Sequence, residues 1–271
     1  MMKMVKNSKG GINLNSIFRY KEINGEVIIT GLKEGVVTTS IVIPETIEGI
    51  PVIGIGPKAF KSTSITDIKI GENIRKIGKQ AFYKCKKLSS VTWSHKCDVI
   101  PADCFFECSN LTQFDFSDIK KVDRAAFYES GLKEVCLPEN IEVVSGWAFF
   151  ECKKLSSVIW NCKCDVIPAY CFVGCSNLTQ FDFTNIKRIE TRAFRGSGLT
   201  SVTLNKETAV EQCCFVQCND LKKVEWLSDQ NIEGDIFEGC KNIKEIFISD
   251  KVKNIEVSAF AFSPNAEITF V

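Results

Sequence analysis

The chain has 271 residues, 45% hydrophobic and 25% charged, and its 34 basic and 33 acidic side chains leave a net charge of +1. That balance is an ordinary globular one and argues against the basic stripe with which nucleic-acid binders neutralise phosphates. No segment approaches the ~18 to 20 continuous apolar residues of a membrane-spanning helix.

In chain order, the opening MMKMVKNSKGGINLNSIF carries lysines but no apolar stretch of ~7 to 15 residues behind them. No secretion signal is therefore expected in this sequence, and residues 1–16 are expected as a flexible tail whose Lys3, Lys6 and Lys9 serve solubility. FRYKEINGEVIITGL (18–32) has two alternating runs around Asn24-Gly25, the favoured two-residue hairpin turn. Residues 17–50 are expected to be a capping hairpin followed by the lead-in strand IVIPETIEG, covering the edge that a stacked fold must protect.

From residue 51 to 271 the chain repeats. Phenylalanines 60, 82, 105, 127, 149, 172, 194, 215, 237 and 260 stand 21 to 23 residues apart. Most follow a small residue, as in Ala81-Phe82 and Cys104-Phe105. Six residues on comes Leu88, Leu111, Leu155, Leu178, Leu221 or Ile243, and two repeats one residue shorter give Leu132 and Leu199. Each continues into alternation such as Val135-x-Leu137 and Val202-x-Leu204, the signature of a half-buried strand. Such a unit buries its apolar edge only by stacking on its neighbours. About ten coils of ~22 residues at ~4.8 Å per coil give an object roughly 45 to 50 Å long. A longer period lies over the first: residues 86–122 recur as 153–189, an offset of 67 residues or three coils. ITFV is expected to close the chain as a last strand.

The pattern I-x-x-x-A-F-x-x-C-x-x-L-x-x-V-x-L, intact in IGKQAFYKCKKLSSVTW (77–93), resembles the BspA-like, treponemal-type leucine-rich repeats over residues 51–271. The resemblance implies a leucine-rich-repeat right-handed solenoid of short parallel β-strands, turns and short helical segments, with an N-terminal β-hairpin cap. It also implies a non-enzymatic ligand-binding or adhesion module that meets protein or cell-surface partners, at the cell surface or secreted. The missing signal leaves cytoplasmic residence, as an intracellular interaction scaffold, open.

Of the fourteen cysteines, Cys85, Cys108, Cys152, Cys175, Cys218 and Cys240 each stand three residues after their phenylalanine, in a slot that Thr63, Ser130 and Ser197 fill elsewhere. A slot that accepts Cys, Ser or Thr reads as a small, semi-polar interior ladder. Stacked neighbours ~4.8 Å apart would also meet the Cα distance of a disulfide, as Cys85–Cys108, Cys152–Cys175 and Cys218–Cys240. Cys162, Cys164, Cys171 and Cys175 lack the paired spacing of a structural zinc site, so no metal and no cofactor is expected.

The lone histidine, His95, sits in a turn, which removes the usual general base and commonest metal ligand. Asp115 and Asp182, three coils apart, would stand about 14 Å from each other, outside the ~5 to 9.5 Å of paired glycosidase carboxylates. Asp115 and Glu134, on adjacent coils, read as polar surface. Phosphate-binding glycine loops are absent, and no enzyme is expected. The outward positions of the strands mix polar and occasional apolar side chains, and Gln113, Asp115, Glu134, Ile159, Gln180 and Asp182 are the expected ligand-binding residues.

Overall fold

A computed structural model describes residues 17–271, and the tail expected over 1–16 lies outside the described residues. Phe18–Ile23 pairs antiparallel with Glu26–Leu32. Asn24 and Gly25 both take left-handed backbone, with φ 53° and 74°, the geometry whose twist matches the flanking strands. The second hairpin strand then pairs in parallel with Ile50–Ile55, so the cap is hydrogen-bonded onto the first coil.

Beyond it the chain winds as a solenoid with two stacks of parallel strands. One stack runs along the A-F side: Ile50–Ile55, Lys76–Ile77, Val99–Ile100, Lys121–Val122, Val143–Val144, Val166–Ile167, Arg188–Ile189 and Ala209–Val210. The other is the L-x-x-V-x-L side: Ser40–Val42, Asp67–Lys69, Ser90–Thr92, Glu134–Leu137, Ser157–Trp160, Ser201–Leu204, Lys223–Trp226, Glu245–Ile248 and Glu267–Phe270. The lead-in Ser40–Val42 already pairs in register with Asp67–Lys69. Helix is nearly absent among the described residues, and the expected short helical segments are mostly hydrogen-bonded turns, with a 3-10 turn at Val257–Phe260.

The ten repeat phenylalanines form one column, rings 5.3 to 5.8 Å apart and nearly parallel. Nine of them are buried, and Phe260 at the open end is half-buried. The turns around the column are tied coil to coil as firmly as strands, for example Phe60 N–H to Ala81 O at 2.8 Å and Phe127 N–H to Ala148 O at 2.9 Å. Stacking therefore satisfies the backbone as well as burying the rings.

The Cys/Ser/Thr slot has a polar reason. Cys85, Cys152 and Cys240 donate their thiols to the carbonyls of Phe60, Phe127 and Phe215 in the preceding coil, at 2.9, 3.1 and 3.0 Å. Ser130 Oγ sits 3.3 Å from the Cys152 sulfur. In this structure all fourteen cysteines are unbridged, the pairs Cys85–Cys108, Cys152–Cys175 and Cys218–Cys240 included. The slot selects a small side chain able to donate one hydrogen bond inside the core.

The expected strand fails to form in two coils. Residues 112–116 and 179–183 join no ladder, which divides the second stack into Ser40–Val42 to Ser90–Thr92, then Glu134–Leu137 with Ser157–Trp160, then Ser201–Leu204 to Glu267–Phe270. The first inward position there holds Phe114 or Phe181 where other coils hold valine or isoleucine, and the second holds Phe116 or Phe183 where coils with a paired strand hold leucine, isoleucine or tryptophan. Phe114 already meets the rings of Trp93, Phe105, Phe116 and Phe127 at 5.0 to 5.5 Å. Extra ring volume in a close-packed column displaces backbone, and the strand spreads away from its neighbours.

Candidate functional site

All six expected ligand-binding residues are exposed, and Ile159 is 47% exposed. Four of the six, Gln113, Asp115, Gln180 and Asp182, lie in the two coils where the ladder opens. Each opening is a shallow cleft. One, of about 430 Å³, is lined by Ser89, Ser90, Val91, Thr112, Gln113, Phe114 and Asp115. The other, of about 460 Å³, repeats that lining three coils on with Ser156, Ser157, Val158, Thr179, Gln180, Phe181 and Asp182, and adds Ser201. Glu134 and Ile159 lie beside the clefts on paired strands and line neither.

The openings change the local chemistry. Val91, Phe114, Val158 and Phe181 are half-buried, whereas Val135, Val202 and Val224 at the same inward slot are buried. Polar hydroxyls and amides thus surround an apolar floor. The backbone is also short of partners: Lys133 N–H bonds to Thr112 O at 3.1 Å and Thr200 N–H to Thr179 O at 3.0 Å, and no other backbone bond links 112–115 or 179–182 to a neighbouring coil among the described residues.

Asp115 and Asp182 have a local role. Asp115 Oδ1 accepts from Ser117 N–H at 3.0 Å, and Asp182 Oδ1 accepts from Thr184 N–H at 2.9 Å. These bonds fold the chain out of the coil edge as Asx turns. They also hold both carboxyls below the usual carboxylate range, Asp115 chiefly through the Ser117 backbone and Asp182 chiefly through the Thr184 hydroxyl and N–H. A general acid needs the opposite shift. His95 pairs its Nδ1 with Asp118 on the exposed turn, and that contact raises its pKa. No group of three or more metal-ligating side chains comes together among the described residues.

Sequence reasoning missed a second surface, on the turns that follow the phenylalanine column. Tyr83, Phe106, Tyr128 and Phe150 stack at 4.3 to 4.7 Å. Trp147 continues the stack, 4.9 Å from Phe150 and 4.3 Å from Tyr170. Lys61 stands 5.1 Å from the Tyr83 ring and Arg192 5.8 Å from that of Tyr170. The signal was present as a second aromatic directly after the repeat phenylalanine, as in Ala-Phe-Tyr at 81–83 and 126–128.

Comparison with known proteins fits this architecture. Six copies of the BspA type leucine rich repeat region match residues 34–155, 100–222 and 165–271. The chain belongs to the BspA-type leucine-rich repeat family. Among solved structures, a leucine-rich repeat protein of Bacteroides ovatus is 17% identical, with 94% of this chain and 98% of that one covered at a TM-score of 0.63. The T. pallidum leucine rich repeat protein is 23% identical over 76% of this chain and 88% of that one, at 0.59. A leucine rich cell surface protein of Faecalibacterium prausnitzii is 20% identical over 94% and 93%, at 0.54. These likenesses establish the fold. No curated relative matches the chain. Leucine-rich repeat proteins are in general protein-interaction modules and non-enzymatic, and no helix among the described residues is long and apolar enough to cross a membrane.

Proposed function

We propose that this BspA-type repeat protein is a non-enzymatic interaction module that grips a protein partner, on a cell surface or matrix, through the two openings of its strand face. The observation that carries this is the recurrence of one cleft, Ser-Ser-Val against Thr-Gln-Phe-Asp, at two places three coils apart. At ~4.8 Å per coil the two stand about 14 Å apart, within reach of one extended segment. Such a segment would run along the stack, crossing the strands, and place one side chain in each cleft over Phe114 and Phe181.

A photo-crosslinking side chain placed at Gln113, or separately at Gln180, tests this on cells of the native source. The expected result is one adduct common to both positions and missing from a control at Arg124, on the turn face. Adducts that differ between the two positions, or arise equally at Arg124, refute a shared strand-face partner.

The intracellular scaffold is a second reading, supported by the thiols of Cys85, Cys152 and Cys240, whose bonds to core carbonyls require the reduced state. A free-thiol count near fourteen on denatured, unreduced protein from its native source selects it. A count near eight selects export.

A further inference from the structure

The aromatic stack ends at Tyr170, and immediately beyond it the turn face is hollowed out. In the four coils that carry the stack, the residue two places after the repeat phenylalanine is Lys84, Glu107, Glu129 or Glu151, all with left-handed φ. From there on the slot becomes Gly174, Gly196, Gln217 and Gly239, until Phe262 fills it again in the last coil, and the residue before it changes from an aromatic to Val173, Arg195, Val216 and Glu238. Loss of those side chains leaves a cleft of about 740 Å³ across four coils, the largest of the described clefts. The cleft also carries charge: Arg192, Arg195 and Lys241 line it, with Glu238 as the one carboxylate of the lining and Asp235 behind it, bonded to the lining Cys213 at 3.3 Å.

The lining itself sets three cations against one carboxylate, and the acidic side chains Glu233, Asp235 and Glu256 line the adjoining cleft, which shares Glu238 and Phe262 with it. The ion pairs among the described residues leave Arg192, Arg195 and Lys241 unused. Both guanidinium groups are nevertheless held in place by neutral partners. Arg192 Nη1 donates to the Tyr170 hydroxyl at 2.8 Å, and Arg195 Nη2 donates to Gln217 Oε1 at 3.4 Å. Neutral anchors orient a guanidinium while leaving its charge and remaining N–H donors available. Planar forks of this kind match tetrahedral oxyanions bidentately. The cleft is far larger than an inorganic ion, and its other polar groups, Gln217, Asn219 and Glu238, suit hydroxyl groups.

We propose that this cleft is an anion-binding site for a phosphate or sulfate monoester carried on a sugar or similar polyol, with Arg192 and Arg195 taking the oxyanion, Lys241 adding charge, and the amides and Glu238 taking hydroxyls. The site lies on the turn face, apart from the strand-face openings, and stands or falls independently of them.

Titration of the whole protein with glucose 6-phosphate, glucose and inorganic phosphate at low ionic strength, followed by calorimetry, tests it. Glucose 6-phosphate should bind saturably and more tightly than inorganic phosphate, glucose should not bind, and added salt should weaken the complex. Arg195→Gln should weaken binding about tenfold or more, and Arg192→Gln with Arg195→Gln should abolish it, since each removes a charge-assisted contact. Lys241→Gln, at an exposed position where folding is not at stake, should weaken it several-fold. Unaltered affinity in Lys241→Gln and in a double variant whose melting temperature is unchanged would overturn the site. So would an Arg124→Gln control losing as much affinity, or no binding of any probe. Inorganic phosphate binding as tightly as the sugar ester would overturn the assignment to an ester.

Discussion

If ring volume at position 114 is what opens the strand ladder, then Phe114→Val should close it. Valine is the residue that coils with an intact ladder hold at this slot, as at 135 and 202. The change removes about four carbons, worth roughly 3 kcal/mol if fully buried at ~0.8 kcal/mol per carbon. Phe114 is only half-buried, which cuts that to about 1.5 to 2 kcal/mol, with the aromatic contacts to Trp93, Phe105, Phe116 and Phe127 included in the loss. Against it stand at least two backbone hydrogen bonds that can form with Ser90–Thr92, at ~1 kcal/mol each. Net stability should therefore change by less than about 1 kcal/mol, whereas a buried phenylalanine truncation ordinarily costs ~3 kcal/mol or more. Amide hydrogen exchange over residues 112–116 is the direct assay: those amides should gain protection of about tenfold or more, with urea unfolding reporting the small net change. If exchange stays fast and stability falls by about 3 kcal/mol, the ring is filling the core and something else holds the ladder open.

Three further outcomes follow from the geometry. Cys152→Ser should cost less than about 1 kcal/mol in urea unfolding, because Ser130 already fills the same slot, whereas Cys152→Val removes one of the two donors to the Phe127 carbonyl, the other being Ser130 N–H at 3.0 Å, and should cost about 1 kcal/mol more than the serine variant. Gly131→Ala should be severely destabilising by thermal melting, several times the ~1 kcal/mol of a typical point substitution, because a Cβ there would stand 2.2 Å from the Ser109 carbonyl oxygen. Burial lifts the Cys97 and Cys152 thiols from 9.0 to about 12, so the folded state holds protons that the unfolded state releases. Stability from these two groups is complete below pH 9 and is lost as pH rises from there towards 12. Melting temperature should fall over that range and fall less in Cys152→Ser, and a flat profile would contradict the assignment.

Sequence periodicity alone determined the stacked coils, the phenylalanine column, the capping hairpin and most strands of the L-x-x-V-x-L side, because a repeat that buries its edge only against copies of itself writes its register into every copy. The two-residue strands of the A-F side emerged only in the structure. Gln113, Asp115, Gln180 and Asp182 were legible as outward-facing residues for the same reason, since alternation fixes the face. What could not be read was that TQFDF breaks the strand. Alternation is intact there, and only the fit of two phenylalanines among Trp93, Phe105 and Phe127, residues up to 34 positions apart, decides that the backbone must spread. The aromatic stack on the turns and the cationic cleft beyond it have the same origin. Each coil contributes one ring, glycine or arginine that means little by itself. The tertiary structure makes a surface of them by placing residues some 22 apart in sequence about one coil rise, ~4.8 Å, from each other.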